Sequence, residues 1–176
     1  MKRYLSALAA LTVLTIPVGL EAQDTEWNRY TLEGLGGVFV RAEADGACES
    51  AGVTASSLLA SSALKLIEAS VDVLTEEQML ENAGLPEFRI TVECVTGAGE
   101  GTAGMLAYGV SVRVQQSAQM IRDTQVTLPE AVTWYATEIG IASFDDAAAA
   151  LEGAIDGKIA EFAAAYVAAN TEETGN

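Results

Sequence analysis

Apolar residues recur along this chain at two different periods, and each change of period marks a change of element. Between residues 87 and 96, Phe88, Ile90, Val92 and Cys94 alternate with Arg89, Thr91 and Glu93. A period of two predicts a strand with one buried and one wet face, and it turns the Cys94 sulfur inward. A second strand sets Tyr108, Val110, Val112 and Val114 against Gly109, Ser111, Arg113 and Gln115, and continues to about Arg122. A third, over 130–142, places Val132, Trp134 and Ala136 opposite Thr133, Tyr135 and Thr137. Three consecutive strands of this kind predict an antiparallel meander. The glycine-rich stretch Gly97–Gly104 is its first hairpin connection.

Helical spacing governs elsewhere. Thr54 suits the N-cap of a helix running to about Ala69, with Leu58, Leu59, Ala63, Leu66 and Ile67 on its apolar stripe. Ser56, Ser57, Ser61, Ser62, Lys65 and Glu68 are left for its other faces. The last helix follows Asp145 and Asp146. Phe144, Ala148, Leu151, Ile155, Ile159, Phe162 and Tyr166 fall three and four apart, a stripe about five turns long. Shorter elements complete the set. Leu35–Glu43 reads as the first strand, Asp45-Gly46 as a turn with Cys48 in the loop after it, and Val71–Leu74 as a short strand. Thr75–Gln78 opens a short helix that Gly84 and Pro86 stop. The order predicts an α+β fold: a two-layer sandwich of a mixed, mainly antiparallel sheet of about five strands with two main helices on one face. It forms a single domain over 34–170, after an arm at 23–33 and before a polar tail at 171–176.

The first 22 residues stand apart. Lys2 and Arg3 precede a charge-free run from Tyr4 to Leu20, and Glu21-Ala22 follow. This reads as a secretory signal cut after Ala22. The competing reading is a retained anchor, but seventeen residues fall short of the roughly 20 that a span needs, and Pro17 and Gly19 suit a cleavage region. No cysteine lies near the cut, which argues against a lipid anchor. Export to the periplasm, or beyond it, is the expectation, with no stable membrane insertion after cleavage.

Residues 1–22 take Lys2, Arg3 and Glu21 with them, so nine basic and 25 acidic residues become seven and 24. Such a chain repels nucleic acid and anionic lipid. The charge itself serves solubility, or else meets a basic partner or a divalent cation. The chain has no histidine. Triads and dyads built on imidazole, and zinc sites ligated by it, are therefore excluded. Two cysteines, Cys48 and Cys94, most simply pair in an oxidising compartment, closing a loop of about 47 residues worth about 4 kcal/mol in the chain-entropy model. Two buried thiols are the alternative.

Few motifs carry chemistry. Ser62-Ala63-Leu64-Lys65 matches the Ser-x-x-Lys of penicillin-recognising enzymes, in which a lysine amine one turn away activates the serine. The companion Ser-Asp-Asn and Lys-Thr-Gly motifs are absent from the chain. Asp45, Asp145, Asp146 and Asp156 lack the spacing of a calcium loop and read as caps and turn residues. Gly97–Gly104 is not a phosphate loop, since it joins strands and carries Glu100. No cofactor or metal site is therefore expected. Among the aromatics Trp27, Tyr30, Trp134 and Tyr135, Trp134 shares the core phase and Tyr135 does not. Tyr135, Thr133, Arg113 and Thr91 together form a candidate recognition surface on the outer sheet face.

Val71–Gln78, Tyr108-Gly109-Val110-Ser111-Val112 and Ala131-Val132-Thr133-Trp134 resemble segments of small secreted bacterial proteins. Across most of the chain the element order is similar to the small α/β modules of envelope accessory proteins, such as the N-terminal domain of TolB. The resemblance implies a compartment and a fold, and transfers no binding residue. The expected function is a noncatalytic periplasmic module that binds another envelope protein. The alternatives are a small secreted hydrolase that works without histidine and a carrier of a small hydrophobic ligand.

Overall fold

In the computed structural model, residues 29–171 are described. The expected leader, its cut after Ala22, Trp27 and the tail from 172 lie outside them. The fold is α+β. Its elements are β1 (Phe39–Ala44), α1 (Gly46–Ser50), α2 (Ala55–Glu68), α3 (Glu76–Glu81), β2 (Glu87–Thr96), β3 (Met105–Gln119), β4 (Thr127–Ser143) and α4 (Ala147–Thr171). The sheet order is β1-β2-β3-β4, with β1 parallel to β2 and the other two pairings antiparallel. A parallel pair needs a long crossover, and α1, α2 and α3 occupy it. None of the described helices is long and apolar enough to cross a membrane.

Among the described residues the sheet has four strands rather than about five. Val71–Leu74 contributes only one parallel bridge, Val73 to Val38. Strand β1 also starts later than expected, because Gly36 and Gly37 sit at φ +68° and +119°. Gly37 is further required by space: a Cβ there would lie 2.7 Å from the Asp72 carbonyl oxygen, which accepts the Val38 N–H at 2.9 Å. Cys48 belongs to the single turn of α1 rather than to a loop.

Helix α2 starts at a capping box in which Thr54 and Ser57 exchange backbone and side-chain hydrogen bonds, each at 3.2 Å. It buries Leu58, Ser62 and Leu66, one residue per turn. Leu59 and Ile67, expected in the stripe, are 42% and 58% exposed. The helix lies on the short edge strand β1 and beside α4, so its neighbours cover only a narrow line. Helix α4 buries the stripe read from its sequence, from Leu151 through Ile155, Ile159 and Phe162 to Tyr166. Phe162 is its centre. Its ring lies 4.7 Å from Phe88, 5.3 Å from Trp134 and 5.9 Å from Tyr166, centroid to centroid.

Two polar ties hold the periphery. Lys158 of α4 is buried, its Nζ 2.6 Å from Glu161 and 3.6 Å from Glu138 on β4. Burial alone would lower its pKa, but the Glu161 hydrogen bond and the two carboxylates outweigh it and hold the amine above its ordinary value. Asn170 clips the arm: its Nδ2 donates to the Leu32 carbonyl at 3.1 Å, and its Oδ1 accepts the Gly34 N–H at 3.0 Å.

Candidate functional site

The helices leave one sheet face uncovered, and the register decides what stands on it. Arg41, Arg89, Arg113 and Tyr135 are successive neighbours across all four strands. The next row holds Glu43, Thr91, Ser111 and Thr137, and the row on the other side holds Phe39, Glu87, Gln115 and Val132. Further along come Ile139, then Val95 beside Ala107 and Ile141. Ile139 is 87% exposed, and Val95 and Ile141 are each 70% exposed. The face thus joins an arginine–tyrosine row to an apolar end.

Like charges on adjacent strands repel, so the arginines need carboxylates. Glu87 serves two of them, at 3.0 Å from Arg41 Nε and 2.6 Å from Arg89 Nε. Glu43 lies 3.6 Å from Arg89. The hydrogen bond to Glu87 holds the Arg89 charge more firmly than usual; burial opposes it, and Glu87, Glu43 and Glu130 add Coulombic support. Arg113 has no ion pair among the described residues, and its Nε is buried without a hydrogen-bond partner. Thr91 Oγ1 and Gln115 Oε1, on neighbouring strands of this face, are also buried without partners. An unmade hydrogen bond of this kind costs about 1–3 kcal/mol.

The structure therefore brings Tyr135, Arg113 and Thr91 onto one face, but not Thr133. The β3–β4 register shifts between Val114 and Gln115, with Val132 opposite Gln115 and Trp134 opposite Val114. Thr133 is the extra residue of this bulge. Its hydroxyl accepts from Gln116 Nε2 at 2.7 Å, and the same amide donates to the Thr31 carbonyl at 2.8 Å. Thr133 thus helps tie down the arm. The bulge also reverses Val132, which was expected beside Trp134 and is 49% exposed on the outer face. Arg41 escaped notice because nothing in a sequence gives the register of a parallel crossover pair.

The Ser62–Lys65 pair is not assembled. Ser62 is fully buried and its hydroxyl has no partner, while the Lys65 amine bonds Asp156 on α4. A cleft of about 200 Å³ between α2 and α4 is lined by Lys65, Asp156, Ser57 and Ser61, but not by Ser62. The hydroxyls of Ser57 and Ser61 donate to backbone carbonyls at 2.9 and 3.2 Å. Among the other aspartates, Asp146 accepts from Ser143 Oγ at 2.6 Å at the entry to α4, and the same Oγ accepts the Asp146 N–H at 3.2 Å.

Cys48 and Cys94 form a disulfide with a Cα–Cα distance of 5.3 Å, joining α1 to β2. Asp45 closes the same junction. Its Oδ1 accepts the N–H groups of Ala47 and Cys48 at 3.0 and 2.9 Å, and its Oδ2 accepts that of Cys94 at 2.8 Å. Ligand atoms of Asp45, Cys48 and Cys94 lie within 4.8 Å of one another. With both sulfurs bonded together and both carboxylate oxygens occupied, the trio is a clasp rather than a metal centre. Burial pushes the Asp45 pKa up, but the bonds from Cys94, Cys48 and Ala47 outweigh it and hold the carboxyl below its ordinary 3.8. A depressed acid contributes stability above its ordinary pKa, and that contribution is lost as pH falls. Asp45→Asn, whose Nδ2 would face a backbone N–H that the carboxylate accepts, is expected to cost about 1–3 kcal/mol at pH 7. Below about pH 4 the melting curves of wild type and variant should converge; a gap that stays constant down to pH 2 would contradict the role assigned to the carboxylate.

No protein-family model matches the chain, and no curated protein matches it.

Proposed function

We propose that this chain is an exported, noncatalytic module of the bacterial envelope, periplasmic after removal of its leader, that binds another protein through its open sheet face. The observation carrying this reading is Arg113. An arginine with no carboxylate partner among the described residues, beside the exposed Tyr135, leaves a guanidinium charge that an acidic group of a partner would meet. Arginine and tyrosine next to exposed aliphatic side chains also form the composition from which binding hot spots are drawn. The disulfide and the absence of a spanning helix among the described residues are compatible with export. The helix-backed sheet, stiff under α2 and α4, offers a preformed surface, and the acidic body disfavours nucleic acid as the target.

The test is affinity purification of tagged mature protein from envelope extracts, run in parallel with Arg113→Ala and Tyr135→Ala. A specific partner should be recovered by wild type and depleted tenfold or more by each variant. Equal recovery with both variants would remove the face from the account. Turnover of an ester or peptide substrate by the purified protein would overturn the noncatalytic assignment.

A further inference from the structure

The two edges of this sheet are protected very differently. Strand β1 is six residues long and bears Arg41 and Glu43 on its outer side, devices that discourage edge pairing. Strand β4 is 17 residues long, and its guards are confined to one half. Pro129, Glu130 and both register shifts of the β3–β4 ladder lie before Trp134. From Trp134 to Ser143 the ladder is regular, with no proline and no bulge. One charged residue falls in that run, Glu138, which lies 3.6 Å from the buried Lys158 amine. The outward positions are Tyr135, Thr137, Ile139, Ile141 and Ser143, none of them charged.

We propose that this half of β4 is a self-association edge, where Thr137–Ser143 of two copies pair antiparallel about a two-fold axis at Gly140. Side-chain matching selects that register. It sets Ile139 of each copy opposite Ile141 of the other on the outer face, the kind of apolar cross-strand pair that stabilises a ladder. Glu138 then faces Ala142 of the other copy, so no like charges meet. A shift that centred the axis on Glu138 would oppose two carboxylates. Charge also favours a second copy over a foreign strand. A foreign acidic or basic segment would find no complementary charge along this edge, whereas an identical strand needs none. The paired edges join the two open faces, so that Val95, Ile139 and Ile141 of both copies form one apolar strip in a continuous eight-stranded sheet. Seven residues a side make a small interface, so the dissociation constant belongs at about 10–100 µM. The bodies carry like net charge, formally −16 for each full chain, and salt that screens it should tighten the pair.

Sedimentation velocity of the purified mature protein, from about 1 to 300 µM, tests this without any other protein present, and so independently of the envelope partner proposed above. The expected result is a monomer–dimer equilibrium that strengthens with salt and weakens at least tenfold in Ile139→Lys and in Ile141→Lys. Both side chains are largely exposed, so the variants should fold. Leu80→Lys, at a 65% exposed apolar site on α3, should leave the equilibrium unchanged. Hydrogen exchange should show protection at 137–143 rising with concentration. A monomer throughout the range, a dimer indifferent to Ile139→Lys, or a monomer whose edge instead captures an extended peptide would each overturn the proposal.

Discussion

Replacing Cys48 and Cys94 together with alanine should lower the thermal midpoint by on the order of 10 °C, and reduction of the wild type should do the same. The bridge spans 46 positions. Closing a loop of that size removes about 4 kcal/mol of unfolded-state entropy in the chain model. For a domain of this length each kcal/mol moves the midpoint by about 2–4 °C. Alanine is the suitable replacement because both sulfurs are buried and serine would add an unpaired hydroxyl. Melts followed by circular dichroism, with and without reductant, measure the effect. Asp45 still anchors α1 to β2 when the bridge is gone, so the reduced chain should keep its secondary structure. Coincident oxidised and reduced melts would mean that the bridge contributes nothing to stability.

Phe162→Ala should cost about 3–5 kcal/mol, a large part of the 5–15 kcal/mol that an ordinary domain has. Phe162 is fully buried, and its ring contacts Phe88 on β2, Trp134 on β4 and Tyr166 on its own helix. Its loss opens a cavity between helix and sheet that Phe88 and Trp134, held on separate strands, cannot jointly close. Urea unfolding should show a lower midpoint with an unchanged slope. Phe162→Leu, which keeps most of the volume, should cost roughly 1–2 kcal/mol. A loss below 1 kcal/mol for the alanine variant would show that α4 is not anchored at this ring.

The stripe of α4 and the alternation of β2 could be read from the sequence because each element buries one face against a broad partner, so periodicity and burial coincide. Helix α2 was only half legible. Leu59 and Ile67 have helical spacing but stay exposed, since α2 lies along the short edge strand; Ser62 is buried in their stead. Val71–Leu74 has strand composition, yet its partner segment starts with two positive-φ glycines and supports a single bridge. The pairing of Cys48 with Cys94 followed from their number and the expected compartment. The arginine row did not follow from anything local. Arg113 was visible as an outward residue on its own strand, but Arg41 and Arg89 join it only through the registers of β1 with β2 and β2 with β3. Thr133 was misplaced because a one-residue bulge inverts every facing beyond it, and no residue type announces it.

The clip made by Asn170 has a topological consequence. It brings the end of α4 against Leu32 and Gly34, so the first and last parts of the described chain meet at one spot. Splicing 171 to 29 with a short linker and opening the chain instead within the 97–104 turn would preserve every strand pairing and the order β1-β2-β3-β4. Cargo joined just before Leu32 or just after Asn170 would also hang from the same corner, a convenience for anyone using this protein as a scaffold.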